Sequence, residues 1–380
     1  MTRKNPAASG PATPAPGPRL DNLTLSRKEG WFTFVDSPAR PRPDDLTLKE
    51  LAALGESALA AHNRARRKCH ANIGPLKTPM IERLHGDLWN ILDSNEQDGD
   101  KAKPSAAVDA LAGLGKTTAV NAFGKAYHRR EIAELGKFTD AGHERIPVCR
   151  IGLAGNTGIK DLNRSMLAFY GHPGSRNGTA SQFIDRAMDC ALARETTLLI
   201  FDETHFLPWG SKEGTRVSNH FKHLANELPV TIIFVGIGLG ERGLYSEGRS
   251  SRAKNLAQLG RRVTPLPLDP YLVDDDRGRE EWRVLLKAVE KRLVLARKFE
   301  GMLADDLSDY LFARSTGHLA SLMTLIARGC SLAIKTGEER LTADLLDCVR
   351  NDANAERARA ELEAALAKRR ATTIPKGQAA

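Results

Sequence analysis

The chain has 380 residues and a mass of 41.5 kDa, room for two or three domains, and a hydrophobic content of 41% fills cores and excludes global disorder. Lysine plus arginine number 56 against 47 acidic residues, giving a formal charge of +9 and a pI near 9.3, a small excess that suggests a polyanionic partner. With a mean hydropathy of −0.37, no apolar stretch of the ~18 residues that a membrane-spanning helix needs is expected, so a transmembrane class is excluded at this stage.

Residues 1–45 carry Pro6, Pro11, Pro14, Pro16, Pro18, Pro38, Pro41 and Pro43 and read as a flexible Pro-rich tail with one short docking element around Trp31, Phe32 and Phe34. Met1 to Pro18, rich in Ala, Pro and Gly, contain no apolar stretch of the kind a secretory signal uses. The five cysteines (Cys69, Cys149, Cys190, Cys330 and Cys348) form no CxxC pair and no metal-ligand spacing, which predicts a reduced, cytoplasmic setting. Cys149 and Cys190 fall on apolar faces, as packing residues do.

From 46 to 100 the apolar residues recur at helical spacing, first Leu48, Leu51, Leu54, Ala58 and Leu59, then Met80, Leu84, Leu88, Ile91 and Leu92. Between 101 and 268 short apolar runs at 106–110, 146–153, 197–201, 230–235 and 263–268 alternate with helical stretches. This pattern predicts an α/β core with a largely parallel sheet. From 269 to 353 the pattern is helical, with helices expected at 282–295, 303–312, 319–334 and 341–349, a second, all-helical unit. Residues 354–380 read as a charged helix to 370 and a tail, and there is no internal repeat.

The sharpest motif is Ala110-Leu111-Ala112-Gly113-Leu114-Gly115-Lys116-Thr117-Thr118, placed after an expected strand and before a helix, the context of a phosphate-binding loop. Glycines 113 and 115 let Ala112 to Thr118 turn their backbone N–H groups toward a phosphate chain. Lys116 would reach the β- and γ-phosphates of ATP, and the Thr117 hydroxyl would hold Mg²⁺. Ala110 replaces the usual leading glycine, which is tolerable if its φ is negative. A Gly-rich turn with a chance lysine is the alternative.

The run Leu198-Leu199-Ile200-Phe201-Asp202-Glu203 reads as a buried strand ending in two acids at the edge where ligands bind in parallel sheets. Asp202 would complete the Mg²⁺ shell, and Glu203 would orient and deprotonate the attacking water; a solvated pair at a strand exit is the alternative. The strand at 230–235 ends in Ile237 and Gly238, so no polar γ-phosphate sensor is visible there. Arg261 and Arg262 stand where an arginine finger acting on a neighbouring subunit would need to be, with surface charge as the alternative. Lys160, Arg164 and Lys212, with Arg176, Arg216 and Lys222, fall in loops or helix starts after strands, where an assembly would present them to DNA phosphates.

In this order the pieces resemble the AAA+ ATPases that assist transposases, the TniB/TnsC family. The likeness spans roughly 51–349. It rests on Gly113-Leu114-Gly115-Lys116-Thr117, Ile146-Pro147-Val148, Phe169-Tyr170-Gly171-His172-Pro173, Asp202-Glu203-Thr204-His205-Phe206-Leu207, Gln258 with Arg262, Thr316-Gly317-His318-Leu319, Ala333-Ile334 and Gly337-Glu338. The resemblance implies an AAA+ P-loop NTPase with a parallel-sheet core and a C-terminal helical lid. It also implies an ATPase that forms rings or helical filaments on duplex DNA and recruits or activates a DDE transposase, with a target-selection protein as a further partner and no membrane. It selects Arg262 over Arg261 as the finger and makes His205 a link between nucleotide and neighbouring subunit, although a structural histidine remains the alternative. No arginine follows Gly317 closely enough to be a second sensor. A helicase-loader or replication-initiator-like ATPase, and a nucleotide-gated scaffold with little hydrolysis, would share both motifs.

Overall fold

The structure is a computed structural model that describes residues 22–98, 100–155, 157–209, 212–244, 260–359 and 361. Five parallel strands form one sheet: β1 (Ser105–Ala110), β2 (Val148–Gly152), β3 (Leu198–Asp202), β4 (Thr231–Gly236) and β5 (Val263–Leu268), in the order β2-β3-β4-β1-β5. Helices cross between them: α5 (Lys116–Leu135), α6 (Ile159–Phe169), α7 (Ala180–Ala193) and α8 (Lys212–Glu227). β3 and β4 are buried along their whole length, which is why they read as unbroken apolar runs without alternation. β1 lies three places from β2, so the chain reverses direction across the sheet beside β1, where the carboxyl ends of the strands open a crevice. All five expected strands are present within two residues of their expected ends. At the outer edge, β5 (Val-Thr-Pro-Leu-Pro-Leu) exposes Thr264, Pro265 and Pro267.

The N-terminal segment holds more structure than a tail. Helix α1 (Lys28–Asp36) lies against α5, with Trp31 fully buried in the sheet domain's core. The Trp31 Nε1–H donates to His128 Nδ1 at 3.1 Å, and Lys125 Nζ donates to the carbonyls of Phe34 and Ser37 at 2.8 and 2.9 Å. Those bonds satisfy the last carbonyls of a short helix that has no capping side chain at its start.

The helical segment expected at 46–100 divides between two cores. α2 (Leu48–Ala53) leads into α3 (Glu56–His70), and α4 (Pro79–Ser94) packs Ile81, Leu84, Leu88 and Leu92 onto the sheet domain. Ile73 and Leu76, in the connection between α3 and α4, join the C-terminal helical core instead. There α3 is held by a buried bidentate pair: Arg66 Nη1 and Nη2 donate to Glu339 Oε2 and Oε1 at 2.6 and 3.0 Å, and Glu339 also accepts the Ala296 N–H. Burial of such a pair is tolerable because both Glu339 oxygens and both terminal nitrogens of Arg66 are hydrogen-bonded.

The C-terminal unit comprises α9 (Asp276–Glu290), α10 (Ser308–Ser315), α11 (Leu319–Thr336) and α12 (Ala343–Asp347), followed by helical residues 353–359. The helix expected at 282–295 starts six residues earlier, where Asp275 caps it by accepting the Gly278 N–H at 2.6 Å, and it ends at Glu290. The Glu290 carboxylate accepts the N–H groups of Gly301 and Leu303, which folds the following chain back. The helix expected at 303–312 is two pieces, a π turn at Met302–Asp306 and then α10. α11 corrects the expectation that no stretch has the length and apolarity of a membrane span, because it meets both. Here Leu322, Leu325, Ile326, Cys330 and Ala333 are fully buried in the lid core, the position of a core helix.

Two buried histidines make stability depend on pH. His70 Nε2 accepts the Val294 N–H at 2.9 Å, as His128 accepts from Trp31, so each must stay neutral, and burial pushes both down to about 4. The unfolded chain takes up their protons near the ordinary value of 6.5, so this stability is full above pH 6.5 and is lost as pH falls toward 4. The loss should reach about 2 kcal/mol per histidine by pH 5. Urea unfolding at pH 7 and pH 5 measures it, and equal midpoints would contradict this account.

Candidate functional site

The loop after β1 takes the shape its glycines permit. Gly113 and Gly115 have φ of 81° and 83°, left-handed conformations in which a β-carbon is strained. Gly115 precedes α5 without a side-chain cap, so the first N–H groups of a 20-residue helix face the crevice and suit an anion. Ala110 is not among the residues with positive φ and ends β1 in register with Leu268, so the missing leading glycine carries no steric penalty. Lys116 opens α5 and is 6% exposed.

The strand order brings β3 to the same rim, and with it the paired acids. Thr117 Oγ1 donates to Asp202 Oδ1 at 3.2 Å, joining the two motifs directly. The same oxygen accepts the Glu203 N–H at 3.0 Å, and Oδ2 accepts from Arg150 Nη2 of β2 at 2.5 Å. Oxygen donors of this kind, a hydroxyl beside a carboxylate, fit a hard divalent cation such as Mg²⁺ next to a phosphate cradle.

Glu203 adopts φ 63° and ψ 35°, a left-handed conformation in a residue that has a β-carbon. The turn behind it enforces this. The Thr204 Oγ1–H donates to the Val235 carbonyl at 3.0 Å, the Trp209 Nε1–H donates to the Thr204 carbonyl at 2.7 Å, and Trp209 is buried among the core rings. His205 Nδ1 lies 3.1 Å from Glu203 Oε2 without a hydrogen bond, and burial, with Arg242 and Lys116 nearby, lowers its proton affinity. The exit of β4 presents Ile237 and Gly238, as expected; the polar side chain next to it comes from β1, where Asp109 Oδ2 accepts the Gly240 N–H at 3.1 Å.

Arg262 lies at the opposite end of the sheet. Its carbonyl accepts the N–H of Ser105, the first residue of β1, so a whole strand, roughly 20 Å, separates it from its own phosphate loop. The side chain is exposed and its Nη1 donates to Asn226 Oδ1 of α8 at 2.9 Å. Nearby Lys222 has its proton affinity lowered by burial and then by Arg262. Arg261 is exposed beside it. Lys160 and Arg164 are exposed one turn apart on α6, which begins at the same rim as the phosphate loop, and Arg164 pairs with Asp161 at 3.4 Å. The Lys212 side chain and Gln258 lie outside the described residues.

One part of the site was not anticipated from sequence. A cleft of about 590 Å³ adjoins the phosphate loop at Gly115 and Thr118 and is walled by Ile73, Leu76, Leu319 and Met323. The lid closes directly on the loop, because the Ala320 N–H donates to the Gly113 carbonyl at 2.8 Å. Leu319 and Met323 fall in the helix expected at 319–334, whereas the other side of the wall shows in sequence as the apolar pair in Ile73-Gly74-Pro75-Leu76, which belongs to neither flanking helix.

Residues 100–240 match the family model of an AAA domain. No curated protein matches the chain. Among solved structures, it is similar to the ORC1 protein of Aeropyrum pernix in complex with DNA, at 16% identity and a TM-score of 0.52, covering 78% of this chain and 69% of that one. The ORC2 protein of A. pernix, solved as ADPNP and ADP complexes, gives 15% identity and a TM-score of 0.51 over 74% and 66% of the two chains. Cdc6p of Pyrobaculum aerophilum gives 12% and 0.50 over 70% and 65%. The chain thus spans about two thirds of the length of these proteins. The fold is that of an AAA+ P-loop domain, α/β with a five-stranded parallel sheet.

The backbone of Glu203 gives a direct check on the site. A glycine relieves the left-handed strain, so Glu203→Gly should keep or raise stability by up to about 1 kcal/mol. Thermal melting decides: a lower melting temperature in the glycine variant would show that the carboxylate, and not the conformation, is what the fold needs.

Proposed function

We propose that this chain is an ATPase that assembles on duplex DNA and there recruits or activates a DDE transposase. The observation that carries the ATPase reading is the Thr117–Asp202 contact, which joins the phosphate loop to a strand-end acid with Glu203 beside it. The backbone N–H groups of Ala112 to Thr118 and the Lys116 ammonium hold the phosphates. Mg²⁺, held by Thr117 and Asp202, would draw charge from the β- and γ-phosphates. Glu203 accepts the proton of the attacking water. The nucleotide complexes of the A. pernix ORC2 protein support the same use of this fold.

Arg262 is too far from its own loop to act there, so it serves the γ-phosphate of a neighbouring copy. That requires a head-to-tail contact, which generates rings or helical filaments. DNA binding draws on the basic charge and on Lys160, Arg164 and Lys212, which contact phosphates and therefore read no sequence. The DNA complex of the A. pernix ORC1 protein supports this part. The transposase and a target-selection protein as partners, and a cytoplasmic setting, rest on the resemblance and on five free cysteines.

A replication-initiator or helicase-loader role is the second reading, favoured by the likeness to Orc and Cdc6 structures. Stimulation of ATP turnover by a purified DDE transposase, but not by a replicative helicase, separates the two.

Lys116→Ala should lose ATP binding while staying folded. Glu203→Gln should bind ATP and remain on DNA longer, because the amide orients water without taking its proton. Phosphate release at the wild-type rate from Glu203→Gln would remove this residue from the mechanism.

Arg262→Ala should bind ATP as the wild type does yet lose ~10³ in DNA-stimulated turnover. Mixed with Lys116→Ala, it should regain part of that turnover, since the second subunit's arginine meets the first subunit's intact loop. A mixture that co-assembles and stays inactive would exclude a trans finger.

A further inference from the structure

We propose that Arg150 is a positioning residue of the phosphate-metal site, a resident cation that shares the Asp202 carboxylate with the divalent ion; this rests on the ATP reading above. Buried arginines elsewhere among the described residues have structural partners. Arg66 ties α3 to Glu339, and Arg314 ties α10 to the carbonyls of Leu346 and Val349 and to Glu356. Arg150 instead faces the carboxylate assigned to the metal. Its side chain is 12% exposed and that of Asp202 5%, so their 2.5 Å contact is screened little by water.

The geometry leaves Asp202 fully engaged. Oδ1 takes the Thr117 hydroxyl and the Glu203 N–H, and Oδ2 takes Arg150. Arg150 is itself held from the far side. Its Nη1 donates to Ser26 Oγ at 3.3 Å, and the same hydroxyl accepts the Gly152 N–H at 3.3 Å. Ser26 belongs to the segment that Trp31, five residues later, anchors in the core. The guanidinium is therefore a fixed part of the sheet edge.

A fixed positive charge beside a metal-binding carboxylate acts in two directions. It holds the Asp202 carboxylate in one orientation without a metal, and it spares the phosphates a bare carboxylate, so ATP binds without Mg²⁺ better than in a site lacking the arginine. It also opposes a second cation, so the Mg²⁺ concentration needed for half-saturation is raised.

The test titrates Mg²⁺ against binding of a fluorescent ATP analogue (mant-ATP) to the full chain, for the wild type, Arg150→Gln, Arg150→Lys and Ser26→Ala. Arg150→Gln should lower the Mg²⁺ midpoint about tenfold and weaken binding in EDTA. Arg150→Lys should keep the wild-type midpoint, and Ser26→Ala should shift it in the same direction as the glutamine by about twofold. A purely structural role would lower the melting temperature and leave the Mg²⁺ midpoint in place, which overturns the proposal. Should Arg150→Gln not fold, the wild type decides: its mant-ATP affinity in EDTA should fall within about tenfold of that in Mg²⁺, and a loss beyond about a hundredfold overturns the proposal. A wild type that binds no mant-ATP under any condition would instead overturn the ATP reading itself.

Discussion

A carboxylate that is almost wholly buried has to be matched by donors, and at Asp202 the matching draws in most of the molecule. Its partners come from α5, from β2 and from its own strand's exit, and through Arg150 the N-terminal segment is attached as well. The parallel register makes this possible. Gly152 stands opposite Asp202, so β2 delivers a long side chain from two residues earlier across the strand end. Shifting β2 by one residue would send Arg150 to the other face and leave the acid without its counter-ion. The same burial explains why removing either partner is expected to cost more than the pair itself contributes.

The second organising fact is that the N-terminal helices are divided between two cores. α4 packs on the sheet, α3 is clamped to the lid through Arg66 and Glu339, and the connection between them walls the cleft beside the phosphate loop. A ligand filling that cleft touches sheet, lid and connection at once. Ala320 already bonds the loop from the lid side.

Much of this was legible in the residues. The strands, the Gly-x-Gly-Lys-Thr loop and the acidic strand end depend on local patterns, apolar runs and glycines in tight turns, and the structure brings Thr117 and Asp202 together as those patterns required. α1 was legible as a short docking element around Trp31, Phe32 and Phe34, but its helical form was not, because these residues sit among prolines and make too short a run to show a period. Arg150 was hidden for a different reason. A charge inside an apolar strand reads as an interruption until the partner is known, and that partner lies on another strand distant in sequence. The cleft wall at 73–76 had no periodicity to reveal it, since its residues belong to a connection.

The prolines of β5 carry a consequence for how the molecule meets others. Pro265 and Pro267 are two residues apart and share one edge of the outermost strand, and neither nitrogen bears a hydrogen to offer an incoming backbone. An extended peptide or a second sheet therefore finds no ladder to continue there. Whatever docks along that flank has to be recognised by side-chain shape and charge, and this guards the flank against the indiscriminate strand pairing that leads to aggregates.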